Sequence, residues 1–408
     1  MSKSKSRQTP AVGKKVTVNE LLNLLPEDFI DQVACDLEVD KWVRKLKAGT
    51  VFKLVLFSLL NSERLSLRVM EDNFKAPLFQ AMLPVVASDE VTWTGIRERL
   101  IKLDIGFCRR MYEFIYEQVQ QQYSSASLAG YHLKRYDSTL IASFSHLLQG
   151  MKVGNTDKNK VQVKLTTEFT DDFLIQMHFH QDQAHLSEET ALKEAILHSA
   201  QSAKDIRVFD RGLKSRKTFS QLHKEGILFV GRLHGSPRYE LLHPFWQDDG
   251  MSDTEELEFV QDSAVYLYES GTQVLDVKLR LVQFRVKKDG QLLSFITNAW
   301  ELPAGIIAEA YRRRWDIEVL FRFMKQEMNL AHFVCNDLNA IQVMLYFTMI
   351  ATMLILIYKK SNGIQSYKKA KIQFFKELFY SVLYDLLESP EGLEWVKKTA
   401  KKFIQKRE

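Results

Sequence analysis

Little in this 408-residue chain points to export, to a disulfide framework or to nucleotide hydrolysis. Its three cysteines, Cys35, Cys108 and Cys335, stand far apart, without metal-ligand or CxxC spacing. They read as buried thiols in a reducing compartment. The opening MSKSKSRQTP has no apolar core of the kind a signal peptide carries, so export is not expected. There is no glycine-rich phosphate loop, which argues against a nucleotide cofactor, and no internal repeat. The longest apolar stretch, residues 343–357, contains Thr348 and Thr352 and falls short of the roughly 20 residues that span a bilayer. It reads as a buried core helix, and no membrane partner is expected.

What is present is an ordinary globular composition, 46% hydrophobic and 26% charged, long enough for two or three domains. The net charge of +5 is unevenly spread. Residues 1–16 carry five basic and no acidic groups, and residues 359–408 carry twelve basic against six acidic, which leaves the middle at about −6. Basic ends attract polyphosphate backbones through counterion release, although lysine-rich termini also serve as solubilising tails.

Residues 1–16 read as a basic disordered terminus and residues 17–126 as a helical region, with a break at Pro26. Within it VFKLVLFSLL is a core helix, and TWTGIRERLIKL is an amphipathic helix placing Arg97, Arg99 and Lys102 on exposed sides that could dock on DNA. From 127 the pattern changes. YHLKRYDSTLIASF, VQVKLTTEF and FLIQMHFH predict three consecutive strands, the last two joined by a turn at Asp171-Asp172. A helix starts near Ser187 with Glu188 and Glu189 in its first turn, complementing the helix dipole. The strand IRVFD, a helix stopping before Gly226, and the strand ILFVGRL complete the region to 233. Residues 234–300 are β-rich; a helix follows Pro303, within a region taken as 301–360; and residues 361–408 form a helical, lysine-rich tail.

The chemistry concentrates in YRRRWDIEVLFRFMKQ. At about 100° per residue, Tyr311, Arg314, Glu318 and Lys325 fall within about 60° around one helix. Ile317, Leu320, Phe321, Met324 and Met328 fill the next sector. A carboxylate, two cations and a phenol on one face suit a site where an acid holds a metal ion while donors grip phosphate oxygens. The plainer alternative is a surface helix with an Arg314–Glu318 pair at i, i+4. Two further acids interrupt apolar strand-like runs: Asp137 in YHLKRYDSTLIASF and Asp210 in DIRVFDRG. Either alone could be a local turn residue.

Together these residues resemble the DDE transposases of the insertion-sequence-four family. Tyr311, Arg314, Glu318 and Lys325 match its four-residue signature, and YDST and FDRG lie where that family places its first two acids. The likeness covers about residues 130–360. It implies an RNase H-like α/β catalytic domain with a β-strand insertion, preceded by an all-helical domain and followed by a helical tail. In that fold the first and fourth strands are neighbours, bringing Asp137 beside Asp210. The resemblance further implies Asp137, Asp210 and Glu318 as catalytic ligands of two Mg2+ ions, with Mn2+ as substitute. Tyr311, Arg314 and Lys325 would contact DNA phosphates, and Trp315 would fill the gap left by an unstacked base or else pack beside the helix. Trp300 or Trp246 could stack on a flipped base, or pack. The implied reaction is cut-and-paste transposition through a hairpin, by a homodimer on paired double-stranded DNA ends, in the cytoplasm of a prokaryotic cell. A related nuclease and a non-catalytic DNA-binding descendant are the alternatives.

Overall fold

The structure is a computed structural model describing residues 15–83, 91–123, 127–144, 151–152, 160–170, 173–180, 182–200, 202–235, 237–245, 253–270, 273–330, 332 and 334–405. Two compact units divide the chain: Ser125–Arg322, and Met1–Ser124 together with Phe323–Glu408. The division at Phe323 falls inside the 301–360 region.

The helical unit begins with α1 (Val18–Leu22), opened by a capping box in which Thr17 and Glu20 exchange side-chain-to-backbone bonds. Pro26 then precedes α2 (Glu27–Asp36), where its missing N–H costs nothing. The VFKLVLFSLL run forms α3 (Ala48–Asn61), buried from Val51 to Leu60 except at Lys53. After it come α4 (Leu67–Lys75), α5 (Pro77–Ala81), α6 (Trp93–Lys102) and α7 (Ile105–Tyr123). On α6, Arg97 and Lys102 are exposed as expected, but Arg99 is buried. Its guanidinium donates to the Leu46 carbonyl at 2.8 Å and to Asp40 at 2.7 Å, so it braces the helical core and leaves the basic face one charge short. Cys108 and Cys335 are buried as predicted, whereas Cys35 is exposed, because it lies on the outer face of α2 opposite Ile30, Val33 and Ala34.

The second unit is built on one large sheet. Its strands are β1 (His132–Phe144), β2 (Met151–Lys152), β3 (Lys160–Thr170), β4 (Phe173–His180), β5 (Asp205–Phe209), β6 (Phe229–Arg232), β7 (Tyr239–Pro244), β8 (Leu257–Ser270), β9 (Gln273–Val274), β10 (Leu279–Val286) and β11 (Leu292–Thr297). Between β4 and β5 lie a 3-10 turn (Gln183–Leu186) and α8 (Glu188–His198); α9 (Arg216–Lys224) joins β5 to β6, and α10 (Ala304–Glu327) follows β11. β4, β3 and β1 pair antiparallel, and β1, β5 and β6 pair parallel. This is the RNase H-like arrangement, with the first strand beside the one that follows the first helix. The inserted strands do not form a separate layer: β11 pairs with β6, and β10, β8 and β7 continue the same sheet.

Both faces are covered, which explains why DIRVF is buried throughout as a parallel strand should be. One face carries Tyr136, Phe209 and Phe229 against Leu192, Ala195 and Ile196 of α8 and Phe219 and Leu222 of α9. The other carries Leu133, Ile206, Val208 and Val230 against Ile307, Ala308 and Ala310 of α10. The run VLDVKLRLVQFRV, which reads as one strand, breaks between β9 and β10. There Leu275 and Val277 turn into the core, and Asp276 is held by Ser220 and Lys224 of α9. Fully buried Arg280 of β10 fixes the connection into α10. It pairs with buried Asp262 at 2.6 Å and donates to the carbonyls of Ala299, Trp300 and Leu302 at 2.9, 3.2 and 2.6 Å.

The helical unit resumes with α11 (Leu338–Ser361), α12 (Tyr367–Glu388) and α13 (Pro390–Gln405). At 24 residues α11 is longer than the run from which it was predicted, and by length and composition it could cross a membrane; yet 89% of its most apolar window is buried inside the protein. It packs against α3, α6, α7 and α12, and its Asn339 donates to the carbonyls of Leu100, Ile101 and Leu103 that end α6.

Candidate active site

Parallel pairing sets the first two acids. Tyr136 of β1 is in register with Phe209 of β5, and the residue after each is an aspartate. Because strand side chains alternate, Asp137 follows Leu133 and Arg135 onto the face covered by α10. Asp210 sits one residue past the strand end, half-buried, where it reaches the same helix. The Ser138 N–H donates to Asp137 Oδ1 at 2.8 Å, fixing that carboxylate.

α10 supplies the rest. The Tyr311 hydroxyl donates to Asp210 Oδ1 at 2.8 Å while its ring packs on Phe295, 5.0 Å between centroids. Arg314 lies between two acids, its Nη2 2.5 Å from Glu318 Oε1 and 3.9 Å from Asp210 Oδ2. Its side chain is 5% exposed while that of Glu318 is 30% exposed, so the pair is buried on the arginine side only, which the i, i+4 spacing alone does not suggest. Among the described residues, Nε and Nη1 of Arg314 find no hydrogen-bond partner.

The electrostatics follow. Burial pushes the Asp137 carboxyl up to about 7; Glu318 and Glu188 add to the rise, and Arg314 and the Ser138 N–H oppose it. Burial acts on Asp210 too, but Arg314, the Arg211 N–H and the Tyr311 hydroxyl outweigh it and hold this carboxyl below its usual range. Burial opposes the charge on Arg314, yet Asp210, Glu318, Tyr311 and Asp137 together hold its pKa above the ordinary arginine value. Two aspartates on adjacent strands, one within β1 and one just past the end of β5, are thereby driven in opposite directions.

Lys325 lies two turns beyond Glu318 on α10, past the division at Phe323 and so with the helical unit. Trp315 is 54% exposed. Trp300 packs edge-on against Phe245, with Lys278 5.2 Å from its ring centre, so packing accounts for it. Trp246 lies outside the described residues, as do residues 1–14 and the Asp171-Asp172 turn.

One acid was missed. A Cβ at Gly212 would come within 2.5 Å of Glu188 Cδ, so the glycine of FDRG admits the Glu188 side chain against the Asp210 turn. Beside it, Glu189 accepts the Ser215 N–H at 2.9 Å. A glutamate pair opening the helix between the two catalytic-type strands was the available signal; the dipole argument accounted for it too cheaply.

Asp137, Asp210 and Glu318 offer hard-oxygen donors of the kind that magnesium or manganese takes. Burial is the main reason the Asp137 carboxyl is raised, a penalty on its charge that a bound cation would offset, and in this structure the Arg314 guanidinium is the cation between Asp210 and Glu318. The residues therefore fit a divalent metal centre.

A family model described as the transposase DDE domain matches residues 136–354, more than half of the chain. A Sinorhizobium fredii protein assigned as a transposase, y4zB, is 35% identical over 105 residues, 26% of this chain and 29% of that protein. A Geobacillus stearothermophilus protein assigned as the transposase of insertion sequence element IS5377 is 30% identical over 101 residues, 24% of this chain and 26% of that protein. These matches span less than a third of either relative. Among solved structures, a piggyBac transposase synaptic complex with hairpin DNA aligns with a TM-score of 0.49 at 12% identity, over 94% of this chain and 84% of that one.

Proposed function

Because the chain belongs to the transposase DDE domain family, we propose that it cuts and rejoins DNA at the ends of a mobile element. The observation that supports this most is the pairing of Tyr136 with Phe209, which sets Asp137 within β1 beside Asp210 just past the end of β5, under an α10 that carries Glu318. Two divalent ions held by Asp137, Asp210 and Glu318 would neutralise charge on the attacking and leaving oxygens of an in-line displacement.

The chain's own residues prepare that displacement. Tyr311 and Arg314 hold the Asp210 and Glu318 carboxylates in fixed positions before DNA arrives. The unused donors of Arg314 are buried and need an acceptor, which a phosphate oxygen of the DNA supplies. Lys325 adds a point charge to a flanking phosphate. The exposed Trp315 indole presents a flat apolar face to the space left by an unstacked base.

The finer reading is cut-and-paste transposition as in the insertion-sequence-four family. Water nicks each element end, the freed 3′-hydroxyl attacks the opposite strand to close a hairpin, water reopens it, and the released 3′-hydroxyl joins target DNA. Two ends must react together, so two copies of the chain hold paired duplex ends. The test is joining of a pre-cut end duplex to a target plasmid with Mg2+ or Mn2+. The intact chain joins the strands, and Arg314→Ala lowers joining about 100-fold. Hydrolysis of DNA without joining would instead assign a nuclease.

A further inference from the structure

Away from the three acids, β4, the 3-10 turn and α8 bring together His180, His185 and Glu194, one ligand-bearing atom of each lying within 4.8 Å of the others. We propose that these three side chains bind one divalent transition-metal ion of the zinc class, at a structural site separate from the catalytic centre.

The donor set itself selects the ion. Two imidazoles and one carboxylate suit zinc, cobalt or nickel, whereas magnesium prefers an all-oxygen shell and keeps its water. Three protein ligands leave a fourth tetrahedral position for water.

The surroundings are those of a ligand set. His180 is only 5% exposed, and its Nε2 lies 3.1 Å from Thr166 Oγ1. A hydroxyl on the distal ring nitrogen leaves Nδ1 for the ion and fixes the ring, as outer partners of metal-bound histidines do. His185 Nε2 lies 2.5 Å from Glu194 Oε2, and an ion entering there replaces that bond.

The site has a structural consequence. Thr166 Oγ1 also meets Ser138 Oγ at 2.9 Å, and the Ser138 N–H donates to Asp137. An ion on His180 would thus tie β4 and the start of α8 to the strand that carries Asp137, and would fix the segment from which Glu188 reaches the Asp210 turn.

The experiment uses the full-length, untagged chain, stripped with chelator and titrated with Co2+ while the visible d–d absorption is recorded, with bound zinc counted in parallel by elemental analysis. The intact chain should take up about one equivalent with a tetrahedral-type spectrum. His185→Gln and Glu194→Gln, both at half-buried positions, should each weaken binding more than about tenfold. Asp137→Asn should leave the spectrum unchanged, which separates this site from the acids whatever the fate of the transposase reading. Absence of a Co2+ spectrum in the folded intact chain, or an unchanged spectrum in folded His185→Gln and Glu194→Gln, would overturn the proposal.

Discussion

At Asp137 burial works against charge. Its carboxyl titrates at about 7 in the folded, metal-free chain against an ordinary value of 3.8. A raised acid pKa means that the folded state holds a proton that the unfolded chain has lost. Metal-free stability therefore falls as pH rises from about 4 to about 7 and is level above that. Asp137→Asn removes the penalty, so metal-free Asp137→Asn should be more stable than the parent by roughly 2–4 kcal/mol at pH 8, with no difference near pH 3. Thermal melts of both proteins across that range, in chelator, check this; a gap that did not grow with pH would contradict it. The sequence pointed to Asp137 and Asp210 as acids interrupting apolar runs, and the helical period placed Tyr311, Arg314, Glu318 and Lys325 on one face of α10. It could not show that Arg314 turns inward, since the period says which residues share a face and not how deeply that face is buried.

At the scale of elements, the site depends on how β5 and β6 lie together. A Cβ on Gly231 of β6 would come within 2.6 Å of the Phe209 ring, which is locked between Phe219 and Phe229 and directly precedes Asp210. Gly231→Ala should cost about 1–3 kcal/mol by overpacking. It should also weaken DNA cleavage by shifting the strand end, which a chemical melt and a cleavage time course would together reveal. Replacing Arg280 is harsher, because it leaves Asp262 charged and unpaired in the core: Arg280→Met should lose about 3–5 kcal/mol. The three early strands, the two parallel strands and the long helix after Pro303 were all legible from pattern and punctuation. The break in VLDVKLRLVQFRV was not, since the bond between Asp276 and α9 that bends it out of the sheet joins residues more than 50 positions apart. Nor could spacing show that the inserted strands extend the catalytic sheet.

At the scale of the whole molecule, length and apolar composition correctly suggested more than one compact unit, and the burial of α11 agrees with the core helix predicted from its shorter apolar run. The basic face predicted on α6 is weaker than its sequence implies, because Arg99 is spent on Asp40. The central claim is that one acidic triad makes this chain a DNA-cutting and DNA-joining enzyme. Its most direct test is cleavage, in Mg2+, of a supercoiled plasmid carrying the element's flanking ends, by the intact chain and by Glu318→Gln. The account predicts that the intact chain releases the element, while Glu318→Gln binds the ends and leaves them uncut. Equal cleavage by both, or specific binding without cleavage by either, would contradict it.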